Sequence, residues 1–158
     1  MKAVYGYEFV RGANALFDLK ENAQRRYVLS EPVGIRVFTD SGIFMANTET
    51  GFIFDGRSGP RIADLLVPNL GTLEERTAFF LHDCAAYAQS LGFAETNLLL
   101  KYFLRDMCAY SNFMSELVRK AVSISKKWYG FPQSPDDPWY CNIGKVTTKW
   151  QNAKEGTC

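Results

Sequence analysis

The period of the hydrophobic pattern changes once along the chain, close to residue 72, and this change limits the possible folds more than any other feature. Before it, short β-branched and aromatic runs at 27–29, 35–38 and 51–54 are separated by turn residues, which is typical of strands. After it, over 72–129, apolar residues recur three and four positions apart, which indicates amphipathic helices. The sequence therefore predicts an α+β fold, in which a small antiparallel sheet packs on a three-helix layer.

Three helices are expected within this second region. The first begins at Thr72, because Thr72 and Glu75 match a capping box, and it is expected to end at Gly92. The second runs from about 94 to 109 and the third from about 112 to 128, each with an apolar stripe.

The first two helices should form an antiparallel hairpin, because the second starts directly after Gly92. If the hairpin turns there, His82 lies level with 102–103, and Asp83 can form an ion pair with Lys101. An exposed ion pair of this kind stabilises a fold by only about 0–1 kcal/mol.

The four cysteines stand at 84, 108, 141 and 158 and form no CxxC pair, so a zinc site is not expected. In the hairpin, Cys84 and Cys108 would lie roughly 12 Å apart, at a rise of about 1.5 Å per residue. The Cα atoms of a disulfide sit within about 7 Å of each other, so this pair should not form one. Both are expected as free, buried thiols.

Composition excludes several classes of protein. The formal net charge of +1 lacks the basic excess of a dedicated nucleic-acid binder, and 47% of the residues are hydrophobic, which is too many for a disordered chain. The first residues lack the apolar run of a signal peptide, and no apolar stretch approaches a transmembrane helix. Neither a nucleic-acid partner nor a transmembrane segment is therefore expected.

A single α+β domain is predicted over 1–130, followed by an extended C-terminal arm over 131–158. The arm opens with a Pro-rich stretch that cannot form a regular helix. It carries Trp139, Tyr140 and Trp150, and aromatic residues are enriched in protein interfaces. These three are the expected partner-binding residues.

Charge is distributed unevenly along the chain. Residues 1–95 hold 9 basic and 12 acidic side chains, whereas residues 96–158 hold 9 basic and 5 acidic ones. This imbalance favours contact of the basic part with an acidic partner or with copies of the same chain.

The candidate site chemistry centres on His82, the only histidine, which Asp83 follows directly. Histidine is the usual general base and a common metal ligand. A metal site with one histidine would need carboxylates, and Asp55, Asp83 and Asp106 are the candidates. Nucleophilic catalysis would instead need an activated serine, for which Ser58 has the most suggestive surroundings.

Two short motifs, in order along the chain, resemble a phage and prophage family known only as a domain of unknown function. The family pattern reads Gly-Phe-x-Thr-Asp-Gly-x-Ser-x-Pro-Arg, then His-Asp-x-x-Tyr, then Ala-Asp in the next helix. This chain has 51–61 in place of the first motif and His82 with Asp83 at the second, within a resemblance that extends over roughly 27–130. The first motif is matched by Asp55, Gly56, Ser58, Pro60 and Arg61.

The chain also departs from the family pattern. Phe54 stands where the family has threonine, and Tyr87 lies one position beyond the family tyrosine. The family aspartate of the second helix is Asn97 here. A neutral amide is a poorer metal ligand than a carboxylate and cannot act as a base, so this change argues against a working enzyme.

The resemblance implies a phage-encoded structural or accessory protein that is virion-associated, as part of a tail, connector or capsid. Its partners would be other phage structural proteins or copies of itself, and it would lie in the virion or the host cytoplasm. No cofactor and no bound metal are expected. In this interpretation His82 and Asp83 are hydrogen-bonding anchors that, together with Asp55 and Ser58, tie the last strand to the helical hairpin.

Two alternative functions stay open. The first is a metal-assisted hydrolase acting on phospholipid or cell-wall polymer, with His82 as base and with Asp83 and Asp55 as ligands or orienting groups. A His-Asp pair followed by a tyrosine resembles the active helix of phospholipase A2, although no Gly-rich calcium loop precedes His82. The second alternative is an inhibitor of a host defence protein.

Overall fold

The computed structural model describes residues 1–19, 27–54, 71–129, 142 and 144–153, without the side chains of 125–129. The described elements are, in chain order, β1 (Val4–Arg11), α1 (Ala13–Phe17), β2 (Tyr27–Val28), β3 (Gly34–Thr39), β4 (Gly42–Thr48), β5 (Ile53–Phe54), α2 (Leu73–Ala88), α3 (Phe93–Met107), α4 (Asn112–Tyr129) and β6 (Val146–Asn152). The predicted α+β class, with a small antiparallel sheet packed on helices, is confirmed.

The larger sheet is antiparallel throughout, with strand order β1-β3-β4-β6, and β2 and β5 form a separate antiparallel pair. Side chains alternate between the two faces of the larger sheet. Val37 and Phe44 are fully buried on the face towards the helices. On the opposite face Arg36 pairs with Glu8 across β3 and β1, with Nη1 and Oε1 3.0 Å apart.

The strand β6 lies within the range predicted as an arm, but it forms the fourth strand of the larger sheet along the whole of β4. Gly42 permits this close approach, because a Cβ atom there would lie 2.1 Å from the backbone oxygen of Gln151. Trp150 is half-buried against the core and donates its Nε1–H to Asn152 Oδ1 at 2.8 Å.

Asn142 ties the segment before β6 to the smaller sheet. Its side-chain amide donates to the carbonyl of Ile53 at 2.6 Å and accepts the N–H of Ile53 at 2.8 Å, as a neighbouring strand would. The backbone carbonyl of Lys145 accepts the N–H of Glu49 at 2.8 Å. The described part of 131–158 is thus packed into the domain rather than extended from it.

The start of α2 follows the predicted capping box. Thr72 Oγ1 accepts the N–H of Glu75 at 3.1 Å, and Glu75 Oε2 accepts the N–H of Thr72 at 3.2 Å. The predicted end at Gly92 is wrong, because Gln89 takes the left-handed conformation (φ 54°) and ends α2 after Ala88. Gly92 instead precedes α3 in an extended conformation, as its N-cap.

Removing the cap should destabilise the protein measurably. We expect Thr72→Ala to lower the free energy of unfolding by about 1 kcal/mol, because the N–H of Glu75 loses its acceptor at a helix end. Urea denaturation followed by circular dichroism measures this loss. Thr72→Ser, which keeps the hydroxyl, is the matched control, and an equal loss in both variants would contradict the capping role.

The core lies between the sheets and the helices α2 and α3. α2 packs against β4, β5 and β6, while α3 packs against β1. The fully buried ring of Phe80 meets Phe52 and Phe54 edge-on, at centroid distances of 6.0 and 5.6 Å. Tyr7 of β1 and Phe103 of α3 make a similar contact at 5.2 Å. Aromatic packing of this kind therefore joins each sheet to the helical layer.

Among the described residues, no helix combines the length and the apolar character that a membrane crossing requires.

Candidate functional site

The residues singled out by the second motif lie together inside the helical layer. His82 and Asp83 belong to α2, and Asn97 belongs to α3. Their exposed fractions are 5%, 5% and 1%. Polar side chains this deeply buried are normally hydrogen-bonded, since an unpaired polar group costs free energy in an apolar interior.

A continuous series of hydrogen bonds runs through these residues from α2 to α4. Asp83 Oδ1 lies 3.2 Å from His82 Nδ1, and His82 Nε2 lies 3.0 Å from Asn97 Oδ1. Asn97 Nδ2 donates to Ser123 Oγ at 3.3 Å, and Ser123 donates to the backbone carbonyl of Arg119 at 2.7 Å. We name the side chains of Asp83, His82, Asn97 and Ser123 the His82 network.

The last bond of the series sets the direction of the others. Because Ser123 gives its one hydroxyl proton to a carbonyl, it can only accept from Asn97, and this assigns the Asn97 amide orientation from the hydrogen-bond network. The Asn97 oxygen therefore faces His82 Nε2, which must donate. An ionised carboxylate only accepts, so His82 Nδ1 donates to Asp83. The geometry thus fits a doubly protonated His82 held between two acceptors.

This arrangement is better suited to holding helices together than to removing a proton from a substrate. A general base needs a ring nitrogen with a free lone pair directed at the proton it takes. In the His82 network Nδ1 faces the Asp83 carboxylate and Nε2 faces the Asn97 carbonyl oxygen. The network therefore joins α2, α3 and α4 through polar contacts.

The predicted register of the hairpin is wrong. His82 meets Asn97 rather than 102–103, because α2 ends at Ala88 and the turn begins at Gln89. An earlier turn shifts every pairing across the hairpin, here by more than one helical turn of 3.6 residues.

The shift in register also changes the partner of Lys101. Its Nζ lies 3.0 Å from Glu116 Oε2 on α4, not beside Asp83 as predicted. Asp106, the other candidate carboxylate within the helices, lies at the far end of α3. There it accepts the N–H of Val4 at 2.8 Å and pairs with Arg105 at 2.6 Å.

Several predicted residues lie outside the described part of the chain: Asp55, Gly56, Ser58, Pro60, Arg61, Trp139, Tyr140 and Cys141. The anchoring of Asp55 and Ser58 to the His82 network stays a prediction. Among the residues that are described, no three histidine, cysteine or carboxylate side chains form a group that could hold a metal ion.

The two helical cysteines are free thiols, as predicted. Burial raises the pKa of Cys84 well above its usual range, and the nearby Asp83 carboxylate adds to this shift. Burial also raises the pKa of Cys108 to about 12, with further contributions from Glu75 and Glu74. A thiol reacts as its thiolate, so neither cysteine is suited to act as a nucleophile at neutral pH.

Two residues that complete this layer escape sequence analysis. Ser123 looks like an ordinary polar residue on an amphipathic helix, although it lies four positions after Arg119, the spacing of a hydroxyl bonded to its own helix. Glu116 bridges α3 and α4, with Lys101 Nζ at 3.0 Å and Arg119 Nη2 at 2.5 Å. Hydrogen bonds from Arg119 and Lys101 lower the pKa of Glu116 to about 2.

The Glu116 bridge should make stability depend on pH in the acid range. Because folding lowers this pKa from 4.5 to about 2, its stabilisation is complete above pH 4.5 and is lost as the pH falls towards 2. We expect Glu116→Gln to be less stable than wild type at neutral pH, with a difference that shrinks to zero by about pH 2. Urea midpoints between pH 2 and 7 measure it, and a difference independent of pH would contradict the bridge.

No family model, curated protein or solved structure matches the chain, so the resemblance to the phage family stays a prediction that rests on its two short motifs.

Proposed function

We propose that this protein acts by binding other proteins, as a phage-encoded structural or accessory component of the virion, rather than by catalysis. The observation that carries the proposal is a contrast in exposure. The most conspicuous polar residues, His82 and Asp83, are buried and turned towards neighbouring helices. Large apolar side chains, by contrast, lie on the surface, with Phe113 74% exposed and Tyr5 70% exposed.

The exposed apolar residues are costly on an isolated surface. Each large side chain of this type gains about 1.5–3 kcal/mol when it is fully buried. Isolated cases are common on protein surfaces, but neighbouring ones mark binding sites. Among the described residues the large exposed apolar side chains are Tyr5, Val10, Phe17, Val28, Phe113 and Ile124, of which the last two share the helix α4.

The phage assignment is supported by the two motifs at 51–61 and 81–83 and their order along the chain. Within that assignment a virion component would meet its partners through surface residues such as Phe113. Copies of the chain or other phage structural proteins are the expected partners.

The experiment follows the protein into particles. Virions from the phage or induced prophage that encodes the chain are purified on a density gradient and probed by mass spectrometry. We expect the protein in the particle band, and less of it when Phe113→Asp replaces the wild type. Recovery of the wild type only outside the particles would overturn the virion assignment.

A metal-assisted hydrolase is the second candidate, and one observation favours it. The Asp83 carboxylate lies on His82 Nδ1, the orientation that enables a histidine to act as base from its other nitrogen. Phospholipid vesicles and cell-wall polymer are the substrates to test, with wild type and His82→Gln compared at equal folded fraction. Activity that His82→Gln abolishes would support this candidate, whereas equal turnover by both proteins would exclude a role for His82.

A further inference from the structure

The helix α4 carries a second apolar stripe, on the side opposite its buried face. Phe113, Leu117, Lys120 and Ile124 follow one another at intervals of four, three and four residues, so they fall within an arc of about 60°. Phe113 is 74% exposed, Ile124 is 50% exposed, Leu117 is half-buried and Lys120 is exposed. We name these four residues the α4 stripe.

The inner face of the same helix already has its packing partners. Ser115, Val118 and Val122 are buried and point away from the α4 stripe. An ordinary surface helix has one apolar face and one polar face, so a helix with two apolar faces is suited to contact on both sides. The outer face of α4 is therefore available to a partner.

The spacing indicates the shape of that partner. Alternating steps of four and three residues form the narrow seam by which one helix packs along another. A helix that lies on a membrane surface instead has a broad apolar face with basic residues at its borders. Here Lys120 lies inside the stripe, and the apolar seam is only about 60° wide, which fits a helix better than a bilayer.

The charge of Lys120 indicates the chemistry of the partner. Within the described residues Lys120 has no ion-pair partner, whereas neighbouring Arg119 pairs with Glu116. Burying an unpaired ammonium group is costly, so the covering surface must supply a carboxylate. A second copy of the α4 stripe would supply none, because Lys120 would face another Lys120 or Leu117. The basic excess over 96–158 also favours an acidic partner.

We propose that the α4 stripe binds an amphipathic helix of a partner protein that places a carboxylate against Lys120. This inference rests on the proposed protein-binding function and names the surface and the chemistry of its partner. Ser111 supports it by holding the start of the helix in place, because its Oγ accepts the N–H of Met114 at 3.1 Å. Phe113 is thus presented from the first turn of a capped helix.

The test uses a synthetic helical peptide with a leucine seam and one glutamate in its centre, and a second peptide with lysine at that position. Fluorescence anisotropy measures binding of each peptide to the full chain. Wild type should prefer the glutamate peptide by about tenfold or more, and Lys120→Glu should reverse this preference. Phe113→Asp with Ile124→Asp should abolish binding, and Val10→Asp, an exposed apolar residue on β1, is the matched control.

Other results would overturn the inference. Binding without charge preference, no binding of either peptide, or equal loss with Val10→Asp would each do so. A wild-type dimer that Phe113→Asp dissociates would identify a second copy as the occupant. Binding to anionic lipid vesicles that the same variant abolishes would identify a membrane surface. Peptide preference without particle association would separate this inference from the virion assignment, because only the latter would then fail.

Discussion

Replacing Phe80 by alanine should lower the free energy of unfolding by about 3–5 kcal/mol. The ring is fully buried and contacts Phe52 and Phe54, which are themselves fully buried beside the smaller sheet. Alanine would leave a cavity at the junction of three elements and would remove the edge-on contacts as well as the apolar burial. Since a domain of this size is stable by only about 5–15 kcal/mol, the variant should be close to unfolding at moderate temperature.

The matched control removes the same ring from the surface. Phe113→Ala should change the free energy of unfolding by less than about 0.5 kcal/mol, because the side chain is 74% exposed. Urea denaturation of both variants measures the difference. A loss below about 1 kcal/mol for Phe80→Ala would mean that Phe80 does not join the smaller sheet to α2 as described.

The second large effect is expected at Asn97, the centre of the His82 network. Asn97→Leu keeps the approximate volume but removes the acceptor of His82 Nε2 and the donor to Ser123. An unsatisfied buried polar group costs about 1–3 kcal/mol, and more when it is charged, so we expect a loss of about 3 kcal/mol. Asn97→Asp restores an acceptor for His82 and should lose less.

The two Asn97 variants separate a polar role from a packing role. Equal losses in Asn97→Leu and Asn97→Asp would contradict the hydrogen-bond direction assigned to the network. An independent readout comes from nitrogen NMR, which is unambiguous here because His82 is the only histidine. The folded wild type should carry protons on both ring nitrogens near neutral pH, and a single ring proton would exclude the double-donor arrangement.

The parts of the fold that follow local rules could be predicted from the sequence. Helix starts depend on nearby residues, so the capping box of Thr72 and Glu75 was sufficient to place the start of α2. The end of α2 depended instead on Gln89 taking a conformation that glycine normally favours. Because register across a hairpin depends on where the turn begins, that one residue displaced every predicted contact between α2 and α3.

Contacts between distant segments were beyond the sequence patterns. The motif resemblance drew attention to His82, Asp83 and Asn97, and the structure brings all three together. Ser123 was missed because its role depends on which face of α4 meets α3. Asn142 was missed for a similar reason, since its amide completes the edge of β5, which lies far away in the sequence. Such roles become visible only when packing is known.

The position of β6 in the sheet has a consequence for the order in which the chain folds. β3 and β4 are joined by a tight turn, but β6 reaches β4 only after all three long helices. On the ribosome, the hairpin and the helices can form while one side of β4 still has unpaired backbone groups. Pairing between segments so distant in sequence is slow, and an open strand edge is prone to aggregation. We expect a nascent chain arrested before residue 146 to depend on chaperones, and a chain released after 153 to become independent of them.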